Sequence, residues 1–277
     1  EQMEKTTQER INMDHLPLEE RPFTQQAALM AKLSELAYKD IRDVEESFAQ
    51  LGFNAHFFDV NGSQAYLLTN AHDLVVVCRG TEPTEFKDIK ADLDARMVPS
   101  STGIGHVHKG FKSSVDNIWP GLKEQLNDYG KTRQVWCTGH SLGAAMATLL
   151  AYRLQRSVDC PNPKALFTFG SPRVGNKKYV KEIESIGLLH YRFVNNADIV
   201  ARVPPWPYRH FGGMYYMNHW GNLRTISFLQ VTQDVWRGFI KGVKKREINF
   251  FSNHNITRYW HNLNNWANGV ERQQDDI

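Results

Sequence analysis

Apolar positions along the chain change period several times, and each change predicts an element. "QQAALMAKLSELAYK" (25–39) places its apolar residues on one helical face, and a second short helix is expected over 41–50. The pattern then turns strand-like in "NAHFFDV" (54–60), "AYLLT" (65–69) and "DLVVVCRG" (73–80). The last of these is almost continuously apolar, as a strand buried on both faces must be. In "TEFKDIKADLDARM", after Pro83, Phe86, Ile89, Leu93 and Met97 recur at helical spacing with charges between them. "GFKSSVDNIWPGLKEQLNDY" (110–129) predicts a helix interrupted at Pro120. A strand at 133–138, a helix at 142–156, a strand "KALFTFG" (164–170), a helix at 176–186 and a strand "HYRFVNN" (190–196) follow. Beyond a Pro- and aromatic-rich stretch at 202–222, helices are expected near 230–246 and 254–268. Strands alternating with helices predict an α/β sandwich around a largely parallel central sheet.

Neither a repeat nor a linker divides the 277 residues. One domain over 1–277 is expected, with the polar residues 1–22 a peripheral N-terminal segment. A net charge of +3 does not call for a nucleic-acid partner. The basic run "RGFIKGVKKRE" (237–247) reads as the solvated face of a helix, with contact to an anionic lipid surface as the alternative. The longest apolar stretch, around 144–152, is broken by Thr148 and is too short to span a membrane. The first twenty-two residues carry no apolar signal-peptide core. Cys78 and Cys137 lie in strand-like runs as small apolar residues, and Cys160 lies in the loop "DCPNP". No disulfide framework is suggested, which favours a cytoplasmic compartment, with secretion after loss of a signal peptide left open.

The candidate chemistry is in "RQVWCTGHSLGAAMATLLAYRL" (133–154), where a strand becomes a helix through G-x-S-x-G. A serine held on a sharp strand-to-helix turn needs small residues around it, because bulky side chains at Gly139 and Gly143 would collide with neighbouring elements. Ser141 would also stand at a helix N-terminus, where free N–H groups favour developing negative charge. The competing reading is that Ser141 simply caps the helix. A serine nucleophile requires a base, and the base a carboxylate, in the chain order Ser, Asp or Glu, His. Asp198, at the end of a predicted strand, is one candidate acid and Asp234 a rival. His254 is one candidate base, with His190, His210, His219 and His261 as competitors. The histidines show no spacing of a zinc site, so no metal and no cofactor is expected.

Taken together, "VVVCRGTEP", "KADLDARMVP", "VHKGF", "TGHSLGAAMATLLA", "FTFGSPRVGN", "RFVNNADIVARVPP" and "HNITRYWHNL" resemble the class 3 triacylglycerol lipases of the α/β-hydrolase fold. This is the family of the fungal extracellular lipases and their bacterial and plant relatives. The resemblance implies Ser141 as nucleophile, Asp198 as acid and His254 as base. It implies oxyanion donors at Thr81 and Leu142, with Asp92 steadying the Thr81 side chain. It also implies a lid over 83–97 carrying Phe86, Ile89, Leu93 and Met97. The chain departs from the family in having Asn253 where an aspartate often precedes the base, in lacking the fungal disulfides, and in its highly charged lid segment.

The expected function is therefore a serine lipase or esterase acting on acylglycerols through an acyl-enzyme. The expected partner is a lipid or small ester, met at a lipid–water interface. Phospholipase A1 and soluble aryl or feruloyl esterase activities are alternatives within the enzyme class. A catalytically silent lipid-binding scaffold is the alternative outside it.

Overall fold

The structure, a computed structural model, describes residues 16–80, 96–196, 198, 200–218, 221–224 and 252–270. Thr81, Phe86, Ile89, Asp92 and Leu93 lie outside them, as do His219, Asp234 and the predicted helix at 230–246 with its basic run. An eight-stranded sheet runs in the order β1 (Asn54–Val60), β2 (Ser63–Thr69), β3 (Leu74–Cys78), β6 (Gln134–His140), β7 (Asn162–Phe169), β8 (His190–Asn195), β9 (Gly213–Met217), β10 (Leu223–Arg224). The strands β3, β6, β7, β8 and β9 are mutually parallel, and the pairs at both edges are antiparallel. The β1–β2 hairpin closes on Asn61 and Gly62, both at positive φ, with Val60 opposite Ser63. An Asn-Gly pair is suited to this turn because it tolerates that conformation twice in succession.

Alternation along the strands decides which layer each side chain joins. Leu74, Val76 and Cys78 face a cluster built from α3 (Lys109–Asn127), α4 (Leu142–Gln155) and α5 (Lys177–Ser185). Val75 and Val77 point the other way, onto α1 (Phe23–Leu36), α2 (Ile41–Gln50) and α6 (Ile256–Ala267). The sheet is thus covered on both faces, which is why its middle strands read as continuous apolar runs. Cys137 takes part in the first cluster, and burial pushes its thiol up to about 12. Cys160 is also fully buried.

Three expectations are corrected. The helix expected to break at Pro120 runs unbroken as α3. Pro120 lies on the exposed side, where the carbonyl it leaves without a donor can meet water, while Phe111, Val115, Ile118, Leu122 and Leu126 keep the inner face packed. Met97 does not continue a helical lid stripe. It begins strand β4 (Met97–Pro99), which pairs with β5 (His106–His108), Met97 opposite His108. Pro99 pushes the residue before it, Val98, out of the helical region, and pairing with β5 draws Met97 into the same strand. The end of the N-terminal segment is not merely peripheral, because Leu18 is fully buried and its N–H reaches both carboxylate oxygens of Asp73 at 3.1 Å. Within 202–222, where no strand was predicted, pairing with β8 draws Gly213–Met217 into the sheet as β9.

Candidate active site

Ser141 stands at the turn between β6 and α4 with φ 57° and ψ −128°. A non-glycine residue at positive φ costs on the order of 1–3 kcal/mol and persists only where its surroundings impose it. Here the two flanking glycines make the turn possible. A side chain at Gly139 would strike the carbonyl of Gly143, and one at Gly143 would strike the carbonyl oxygen of Cys78 in β3. The Ser141 N–H is held by the Phe169 carbonyl at 3.1 Å, tying the turn to the end of β7. The capping reading fails on geometry: Ser141 occupies the N-cap position, but its side chain makes no capping bond. Its Oγ is buried with no hydrogen-bond partner among the described residues. Leu142 opens α4, where first-turn N–H groups have no partner inside the helix.

Two other elements bring an acid and a base to the same edge of the sheet. Asp198 follows β8 and is fully buried. Its carboxylate accepts from His254 Nδ1 at 2.9 and 3.1 Å, from the Val200 N–H at 2.9 Å and from the Tyr259 hydroxyl at 2.6 Å. An ionised carboxylate only accepts, so the His254 proton sits on Nδ1 and the Nε2 lone pair is left as the basic site. The pair lies directly over Gly170, the residue after Phe169. A side chain there would come within 2.6 Å of Asp198 Oδ2 and 2.8 Å of His254 Nδ1. Phe169 holds the serine and Gly170 makes room for the dyad, so consecutive residues serve the two halves of the site, while Ser141 Oγ and His254 Nε2 are not hydrogen-bonded to each other.

Among the described residues, the three competing histidines have other contacts. His190 Nε2 is 2.7 Å from the Thr168 hydroxyl, His210 Nε2 is 2.6 Å from the Ala201 carbonyl, and the exposed His261 ring lies tilted against Trp260. Burial, with Arg192 nearby, pushes His210 down to about 3.

Two supporting residues were not identified from sequence. His140 is fully buried, and its Nε2 lies 2.6 Å from the backbone carbonyl of His254, which can only accept. The proton is therefore on Nε2, and Nδ1 accepts from the Tyr38 hydroxyl at 2.9 Å. Burial and the neighbouring His254 hold His140 well below the usual histidine range, so it stays neutral in this role. Tyr259 donates to Asp198 and accepts from the Asn195 N–H at 2.9 Å. Burial, then the adjacent carboxylate, raises its phenol well above the ordinary value, keeping it a donor. A Tyr259→Phe variant should lose about 1–3 kcal/mol of stability, because a buried N–H and a buried carboxylate each lose a partner. Urea unfolding measures this, and an unchanged midpoint would show that neither group depends on the phenol.

Asn253, which stands where the class 3 lipase pattern often has an aspartate, fastens the loop. Its carbonyl accepts from Asn195 Nδ2 at 3.0 Å, and its side-chain oxygen accepts from Arg258.

Residues 75–208 match the family model described as lipase (class 3). Among similar proteins, the toxin TseL of Vibrio cholerae is 31% identical over 182 residues, 52% of this chain and 28% of that protein. A lipase of Rhizopus niveus is 42% identical over 105 residues, 36% of this chain and 26% of that protein. The chain thus spans only about a quarter of the length of these relatives. The solved structure of the Rhizomucor miehei triacylglyceride lipase superposes with a TM-score of 0.62 at 25% identity, covering 70% of this chain and 79% of that one. The shared architecture is the α/β-hydrolase fold. The match begins inside β3, takes in the glycine-flanked serine turn and runs past Asp198 to Tyr208, so just under half of the chain is similar to the class 3 lipases over the segment that carries Ser141 and Asp198.

Proposed function

We propose that the chain is a serine hydrolase that cleaves carboxylic esters of acylglycerols, with Ser141 as nucleophile, His254 as base and Asp198 as its orienting acid. His254 Nε2 takes the Ser141 proton as Oγ bonds to the ester carbonyl carbon. The carbonyl oxygen becomes an oxyanion and accepts from the Leu142 N–H at the start of α4. We assign the second donor to Thr81, which follows Gly80 in the sequence, with Asp92 supporting it. Collapse of the tetrahedral adduct breaks the ester C–O bond. The imidazolium returns its proton to the leaving alkoxide, giving an alcohol and an acyl-serine. Water, deprotonated by His254, then releases the carboxylic acid and restores the hydroxyl. Each oxyanion donor of this kind contributes about 3–4 kcal/mol to the transition state. The steps need no metal, cofactor or redox partner.

The observation that carries this reading is the Ser141 side chain: strained in its backbone, buried, and making no cap. A serine kept for structure would be expected to spend its hydroxyl on the helix N-terminus.

The test is labelling by a fluorophosphonate together with rates on p-nitrophenyl esters, triglycerides and phospholipids, each beside a Ser141→Ala control. Label on the native chain, none on Ser141→Ala, and the highest rate on emulsified triglyceride are expected. Highest rates on phospholipid would make the enzyme a phospholipase A1, and rates confined to soluble esters an aryl or feruloyl-type esterase. An unlabelled native chain would leave a silent lipid-binding scaffold. Among the described residues no helix is long and apolar enough to cross a membrane.

A further inference from the structure

The loop that leaves β8 beyond Asp198 carries an unusual surface. Pro204 and Tyr208 are buried, whereas Pro205, Trp206 and Pro207 between them are exposed. Trp206 is 77% exposed, and it is the one aromatic residue among the exposed large apolar side chains of the described residues. The loop is fastened on both sides of this tip. The Arg173 N–H donates to the Val203 carbonyl at 2.8 Å, and Arg173 Nη1 donates to the carbonyls of Arg202 and Pro204 at 2.7 and 2.9 Å. The Arg209 N–H donates to the Gly175 carbonyl at 2.8 Å, and the buried Tyr208 ring packs against His108. Trp206 is therefore held out into solvent by a braced loop.

The charge along this loop and the segment that braces it is one-sided. Residues 170–176 and 190–218 contain four arginines, Arg173, Arg192, Arg202 and Arg209, and one carboxylate, Asp198. That carboxylate is fully buried against His254 and Tyr259. Among the described residues none of the four arginines has a carboxylate in ion-pair contact. Arg202 and Arg209 are exposed beside the tip. Arg192, in β8, is buried, and burial lowers it only to about 10, so it keeps its charge. Because β6, β7 and β8 are parallel, this loop leaves the same edge of the sheet as the Ser141 turn.

We propose that Trp206, flanked by Arg202 and Arg209 and braced by Arg173, is a docking point for an anionic lipid surface beside the Ser141 site. An indole at the headgroup boundary buries its apolar body while its N–H stays in a polar layer, and guanidinium groups beside it meet lipid phosphates. A braced tip between two prolines loses little conformational freedom on docking. Unbalanced positive charge selects an anionic surface over a zwitterionic one and over a second copy of the same positively charged loop.

The inference deepens the lipase reading by naming the surface the site meets, and it is tested without turnover. Full-length Ser141→Ala protein is sedimented with phosphatidylglycerol or with phosphatidylcholine vesicles at low and high salt. Tighter binding to phosphatidylglycerol, weakened by salt, is expected. Adding Arg202→Gln and Arg209→Gln should weaken it about 30-fold at low salt. Adding Trp206→Ala should weaken binding to both vesicles, with an unchanged unfolding midpoint. Vesicle binding unaltered by these substitutions, or equal binding to both lipids, would overturn the proposal. So would a concentration-dependent dimer lost in Trp206→Ala, which would make the tip a self-association contact. Fluorophosphonate labelling of the native chain reports the hydrolase reading separately, so either can fail alone.

Discussion

Replacing His254 by alanine is expected to lower kcat for ester hydrolysis by about a million-fold while leaving a folded protein. Without the imidazole, the Ser141 hydroxyl keeps its proton and is a weak nucleophile. The fold should tolerate the change because the groups that hold this region do not depend on the ring. Asp198 retains the Val200 N–H and the Tyr259 hydroxyl, and His140 holds residue 254 through its backbone carbonyl. Steady-state rates with p-nitrophenyl butyrate and thermal unfolding together check this. Wild-type turnover in the variant would discard His254 as the base and bring His261 forward for testing.

Asp198→Asn should produce a folded enzyme slowed by about ten-thousand-fold. Both oxygens of Asp198 already have a second donor: the Val200 N–H on Oδ1 and the Tyr259 hydroxyl on Oδ2. An asparagine can place only one oxygen there. The Val200 N–H cannot reverse its role, whereas the phenol can accept. The amide nitrogen therefore takes the Oδ2 position, 2.9 Å from His254 Nδ1 in the native protein. Facing a donor, Nδ1 must accept, and the ring proton moves to Nε2, where it blocks proton transfer from Ser141. A pH–rate profile and a proton NMR spectrum of the imidazole would read this directly. Full activity in the variant would point to another carboxylate, Asp234 first.

Much of this site was visible as local pattern. Gly139 and Gly143 stand out because a sharp strand-to-helix turn leaves room for little else, and that constraint is written in adjacent residues. The apolar runs of β3, β6 and β7 predict strands for a similar reason, since burial on both faces leaves no polar alternation. What local pattern misjudged was set by contacts between distant segments. Met97 has helical spacing with Phe86, Ile89 and Leu93, yet it pairs with His108. Pro120 would break a helix standing alone, but packing against the sheet carries α3 through it.

The pairing of Asp198 with His254 belongs to the same class. Spacing left Asp198 beside Asp234, and His254 beside four rivals. The sequence by itself determined the glycine-flanked turn, the strand–helix alternation and the chemical types available, because each depends on sterics and burial over a few neighbouring residues. Only the tertiary structure decided that Asp198 bonds His254 across 56 positions, that Gly170 makes room for them, and that Tyr38, His140 and Tyr259 hold them in place. Those contacts depend on where the ends of parallel strands converge, which no local period records.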